Sequence, residues 1–331
     1  MLYRVAMPHR IGASGALLVA MLGCSDDAEP CERWQGPRDL GLGTSAQLLA
    51  IDRDMVVGAG ASVWFDGEAQ TMPAGVDADL LAVLELPYFE GRDYIAVGTK
   101  GTLLCGRSES YSGPLTWTKI DLGTNADLRA VAAFELQDNL LDYHVVVVGE
   151  GVLFERTPSY GANFEILFDW TTPEPPAEGW GSLRGVKPGN GSSAVAVGDG
   201  GRVITRAPYE LPDWTIGDIG TSEDLLAYCS DGLDERAFGR AGRFFARKFL
   251  DTWKQVDLGI DEDLVACDQT FVLTASGRVL DIDIAPDEPS ITELAAIPGL
   301  RGLNGYRDYG DQTLCVRAVG DRGVAIEICP C

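Results

Sequence analysis

Histidine is nearly missing from this chain: there are two in 331 residues, His9 and His144. A histidine-built zinc site needs more than that, and Ser-His-Asp catalysis would have to rest on His144 alone, so neither is expected for the body of the chain. Basic residues are scarce as well, with 26 Lys and Arg against 50 Asp and Glu and a formal charge of −24. A surface of that sign repels phosphate backbones and anionic headgroups, which removes nucleic acid from the expected partners. Helical periodicity is also scarce, while Gly, Pro and Asp punctuate the chain at short intervals.

The longest apolar stretch lies at the start. A basic segment with Arg4, His9 and Arg10 precedes IGASGALLVAMLG, residues 11–23. That order suits a secretion signal and is too short to span a bilayer as a mature helix. Met21-Leu22-Gly23-Cys24 resembles the bacterial lipobox, with Met21 where the pattern usually has Leu. The resemblance implies lipidation of Cys24 after removal of 1–23, with 24–30 as a polar tether. Cleavage by ordinary signal peptidase, with Cys24 a plain thiol, is the alternative. Ser25, in place of Asp, implies sorting to the outer membrane. The expected location is therefore exported, in the bacterial cell envelope, lipid-anchored. Losing two arginines and no acid takes the formal charge from −24 to −26.

The rest of the chain is repetitive. Leu-x-(Ala/Gly)-apolar occurs seven times, at Leu48, Leu80, Leu128, Leu183, Leu225, Leu264 and Leu300. After each comes an apolar run ending in a Gly-rich turn, as in VVGAGASV (56–63) and AVGDGGRV (196–203). A third element, Trp with an Asp-Leu-Gly tail, is clearest in WTKIDLGT (117–124), WTIGDIGT (214–221) and WKQVDLGI (253–260). The run Gly198-Asp199-Gly200-Gly201 is thus one of seven equivalent hairpin turns; a phosphate loop would need a helix behind it. Seven such units predict an all-β seven-bladed propeller with four-stranded antiparallel blades over 31–331. Blades begin near 46, 78, 126, 181, 223, 262 and 298.

The seventh unit ends without its Trp strand, whereas Trp34–Gly41 precedes the first unit and has no blade of its own. Residues 31–43 are therefore expected to complete blade seven, pairing the two ends of the chain. Cys31 precedes that strand, and Cys329 and Cys331 follow the last one. A disulfide from Cys31 to Cys329 or Cys331 would close the ring in an oxidising compartment, contributing on the order of 4–5 kcal/mol in the entropic model. Cys229 and Cys267 are candidates for a second bridge, and Cys105 and Cys315 are read as buried thiols. Free thiols at the ends, or metal binding by Cys329-Pro330-Cys331, are the alternatives.

At the level of the repeat, the chain resembles seven-bladed propellers related to photosynthesis-assembly factors and BNR-repeat proteins. The Ser-x-Asp-x-Gly-x-x-Trp box of sialidases is absent from every unit, so no glycosidase activity is carried over from that group.

No catalytic set is singled out. His144 is expected to be structural and partly exposed, and the pairs Asp52/Asp54, Asp261/Asp263 and Asp281/Asp283 are those an acidic chain produces by chance. In a propeller the D–A and B–C connections share one face; here they bear Glu150, Asp199 and Asp321, an acidic ring that would suit a structural divalent cation. The other face carries the long loops, where Tyr88, Phe89, Tyr160, Tyr306 and Tyr309 are candidate contacts. No cofactor and no metal ligand set is predicted. The expected function is non-enzymatic binding of a protein or glycan partner, with membrane contact through the anchor only. The alternative is an envelope polysaccharide lyase or glycoside hydrolase centred on the channel.

Overall fold

The computed structural model describes residues 36–86, 92–108, 113–135, 143–160, 166–189, 193–206, 214–231, 234–248, 251–284, 289–307 and 314–329. Seven four-stranded antiparallel sheets follow one another around a ring. Their strands, A to D from the centre outward, run Leu48–Asp52, Met55–Gly58, Val63–Phe65 and Glu68–Ala69 in blade one, and Leu80–Leu86, Arg92–Gly98, Thr102–Ser108 and Thr116–Ile120 in blade two. Blade three has Leu128–Glu135, Tyr143–Gly149, Leu153–Tyr160 and Ile166–Thr171; blade four has Leu183–Pro188, Ala194–Gly198, Val203–Arg206 and Trp214–Gly217. Blade five has Leu225–Ser230, Asp234–Gly239, Phe244–Lys248 and Lys254–Val256; blade six has Leu264–Asp268, Phe271–Thr274, Arg278–Ile284 and Pro289–Ala296. Blade seven takes A, B and C from Leu300–Arg307, Leu314–Gly320 and Ala325–Ile328, and its D strand is Arg38–Asp39.

The repeat motif has a physical reading in each blade. Pairing of strand A with strand B slips between the Leu and the residue two further on, as at Leu48/Ala50 and Leu183/Gly185, in all seven blades. Leu-x-Ala is therefore a β-bulge, and its middle residue is the unpaired one. The Leu is buried against the preceding blade, as Leu80 is against Met55 and Val57, and the small third residue lets neighbouring A strands approach. A Cβ on Gly302 would sit 2.9 Å from the Ala50 Cα.

The turns between blades are built from acids. Asp39, Asp121, Asp218 and Asp257 each accept the N–H of the Gly two residues on, an Asx turn that leads the chain from strand D toward the next strand A. Just before strand A, Asp79, Asp127, Asp224 and Asp263 accept N–H groups of Gly60, Lys100, Gly200 and Ala241 at 2.9–3.1 Å, each in the B–C turn of the preceding blade. Gln47 takes this position at the seam, donating to Asp321 at 2.7 Å.

Seven apolar clusters fill the wedges, one between each pair of neighbouring blades; that across the seam joins Leu48, Ile51, Val56 and Trp64 to Val319 and Ala325. The N-terminal strand pairs Arg38 with Glu327 and Asp39 with Ile326. Glu327, nearly buried, accepts from Arg38, from Arg317 of strand B at 2.9 Å and from the Tyr306 hydroxyl of strand A, so all four strands of the closing blade meet on one carboxylate.

Two disulfides are present among the described residues. Cys229–Cys267 joins the A strands of blades five and six, and Cys315–Cys329 joins strands B and C of blade seven. The reading of Cys315 as a thiol is corrected. Its neighbour Val316 pairs with Ile328, which puts Cys315 opposite Cys329, with their Cα atoms 4.4 Å apart. Cys329 is thereby removed as a partner for Cys31. Cys31 and Cys331 lie outside the described residues, as does Cys24. Cys105 is free and half-buried, and burial pushes its thiol pKa up.

Candidate functional site

Each strand A begins beside the B–C turns and ends on the opposite face. There the seven ends surround a cavity of about 1220 Å³, the mouth of the central channel. Its charged lining comprises Arg38, Arg53, Arg92, Lys187, Arg307 and Arg317 against Asp52, Asp54, Glu85, Asp268 and Glu327. Six basic groups face five acidic ones, in a chain whose formal charge is −24. Among the described residues the lining is thus close to balanced, with one basic group to spare, inside a strongly acidic chain.

A polar band crosses the floor of this cavity. Lys187 of blade four reaches Asp268 of blade six at 3.3 Å. Asn304 of blade seven donates to Asp268 at 2.9 Å and to Asp52 of blade one at 3.2 Å. Asp52 also accepts the Glu85 N–H of blade two at 2.7 Å, and Asp268 accepts the Gly305 N–H at 3.0 Å. The Lys187 side chain is 39% exposed, because it faces the cavity. Burial pushes the Asp52 carboxyl up to about 6; Asp268 and Glu85 add repulsion, while the Glu85 N–H and Lys187 pull it down. Lys187 is held above the ordinary lysine value, chiefly by Asp268.

The sector formed by blades seven, one and two is rich in arginine. Arg317 donates to Asp54 at 2.6 Å and lies over the Tyr306 ring at 4.6 Å; Arg92 stands 3.8 Å from Asp54, and Arg53 stands 3.6 Å from Glu85. Arg307 is exposed at the rim. Tyr306 is the one candidate aromatic whose side chain is described: it lines the mouth, with its hydroxyl turned to Glu327. Tyr160 ends strand C of blade three, and Tyr88, Phe89 and Tyr309 fall outside the described residues.

Two expectations change. His144 is buried at 1% exposure, not partly exposed; it stacks on Phe134 and lies 3.5 Å from Glu155, which accepts from Trp214 at 2.6 Å. Burial alone would raise Glu155, but hydrogen bonds and charges from His144, Arg206 and Trp214 outweigh it and hold the carboxyl below its usual value. Glu150, Asp199 and Asp321 do not form an open acidic ring. Each pairs with the bulged arginine of its own blade: Arg129, Arg184 and Arg301. Among the described residues no group of three or more His, Cys, Asp or Glu is placed to hold a metal ion.

The channel-floor residues Lys187, Asp268 and Asn304 were not singled out from the sequence. The signal lies in the column four residues after the repeat Leu, which reads Asp52, Leu84, Ala132, Lys187, Cys229, Asp268 and Asn304.

Fold and mouth together define the class: a ring-shaped seven-bladed β-propeller with a polar channel entrance lined by charges of both signs. Neither a protein-family model nor a curated protein matches the chain. Among solved structures it is similar to YCF48 bound to D1 peptide, with a TM-score of 0.57 and 17% identity, covering 91% of this chain and 95% of that one. It is likewise similar to YCF48 from Cyanidioschyzon merolae, with a TM-score of 0.59 and 16% identity over 88% of this chain and 98% of that one. Likeness at this identity is a likeness of fold.

Proposed function

We propose that this protein is a non-enzymatic binding propeller of the bacterial envelope, anchored through a lipid on Cys24 and sorted to the outer membrane, which takes a protein partner at the channel mouth. The observation that carries the reading is the charge balance of the described lining: six basic groups stand against five acidic ones in a chain of formal charge −24. A segment bearing carboxylates is therefore repelled less at the mouth than over the average surface, and Arg307, exposed at the rim, is open to it. One of the similar propellers was solved with a peptide bound, which supports a protein partner over a glycan. The test is capture from solubilised envelope membranes by the mature domain, with R53E/R307E at the mouth and K119E on an outer strand as control. The mouth variant should lower capture roughly tenfold, equivalent to about 1.4 kcal/mol. Equal loss with K119E would count against the mouth.

A second reading rests on Asp52 and Asp268, a carboxyl held up near 6 and a second carboxyl that pairs with Lys187, both bridged by Asn304. Such a pair suits the acid and base of glycoside hydrolysis. Product release from envelope glycans that disappears in D52N would replace the binding reading with this one.

A further inference from the structure

Strand D of any blade starts on the channel-mouth face and ends beside the B–C turns. The Arg38–Asp39 strand obeys this direction: Gly36 and Arg38 both line the mouth, and so does Cys329 at the other end of the chain. The chain therefore enters the ring on the mouth face. From Cys24 to Gly36 is twelve residues, which span at most ~40 Å even when fully extended. A ring of about 300 residues has a radius of gyration of roughly 19 Å and is therefore ~50 Å across. The anchor point is thus closer to the mouth than the body is wide.

The lining does not oppose this orientation: among the described residues the mouth carries six basic groups against five acidic ones, so an anionic bilayer repels it less than the average surface of this acidic chain.

Resting on the lipid-anchor reading, we propose that the channel mouth faces the membrane and that its occupant is a loop or terminus rising from a protein in the same bilayer. A gap limited to ~40 Å admits a peptide segment and hinders a free globular partner of this protein's own size. The far face, sealed by Asp-capped turns, is turned toward the aqueous compartment.

The experiment uses the full lipidated protein in phosphatidylethanolamine/phosphatidylglycerol vesicles bearing an acceptor dye. A donor fluorophore is incorporated site-specifically at Arg307 on the mouth rim or at Glu150 on the far face. Energy transfer to the bilayer should be several-fold greater from position 307 than from 150, and a long Gly/Ser insert after Asp27 should abolish that difference. Equal or reversed transfer in protein that floats with the vesicles overturns this inference alone. Failure to float, with no lipid mass on Cys24, overturns the anchor reading and this inference with it. As a second arm, photo-crosslinking from position 307 in native membranes should yield an integral membrane protein; a soluble partner captured there overturns the proposed occupant.

Discussion

Gly198 and Gly200 stand two residues apart in one turn and are glycines for different reasons. Gly198 has extended backbone, but a Cβ on it would lie 2.1 Å from the Ser182 carbonyl oxygen, where strand B ends against the entry to strand A. Gly200 has φ +68° and nothing within 4 Å of its Cβ position. In the same position of other blades the chain carries Lys100, Ala241 and Arg322 at φ 59°, 48° and 59°. G198A should therefore cost about 3 kcal/mol or more, and G200A about 1 kcal/mol, in urea unfolding. Comparable losses would refute the close-approach argument. Asp52 gives a residue-scale prediction in pH. Its folded-state pKa of about 6 exceeds the ordinary 3.8, so the folded state keeps this proton longer and this contribution to stability declines as pH rises through that window. D52N should remove that slope while leaving the acid-side loss, set by Glu155 and Glu327 with their lowered values, in place. Denaturant midpoints measured at intervals across the window decide it; an unchanged slope assigns the proton elsewhere.

At the scale of the element, the blade was readable from sequence because its turn chemistry is local and shown repeatedly. Asp-Leu-Gly is an Asx turn, Asp-Leu-x-Ala a clasp followed by a bulge, and Val-Gly a close approach, each visible within a few residues. The channel floor was not readable. Lys187, Asp268, Asn304 and Asp52 meet from four blades; they share one column of the repeat, but its contents vary from unit to unit, so the repeat marks the position and not the contact. Cys315–Cys329 depended on hairpin register, which fixes cross-strand partners only once the turn at 321–323 is known. The clasps also reinterpret the acidic composition, since part of the negative charge fastens one blade to the next. D79A, D127A, D224A and D263A should each cost about 1 kcal/mol, nearly additively because the sites are far apart. Chemical denaturation of single and combined variants measures this; one dominant site with three silent ones would contradict it.

For the whole molecule, closure is the feature that sets stability. With Cys229–Cys267 and Cys315–Cys329 formed, Cys105 a free thiol within blade two and Cys24 carrying the lipid we propose, Cys31 and Cys331 are left as partners for the ends of the chain. Peptide mapping without reduction should recover a Cys31–Cys331 link in exported protein, and C31S should lower the thermal midpoint. Free alkylated Cys31 in fully oxidised protein would show that Glu327 and its cross-strand partners hold the seam without a covalent bond.

Where Cys31 and Cys331 are not joined, tension on the N-terminal leader reaches the described ring first through Arg38 and Asp39, a strand of two residues. The latch that makes the ring circular is then also its mechanical fuse, and a firm tug would unzip blade seven while the other six still stood.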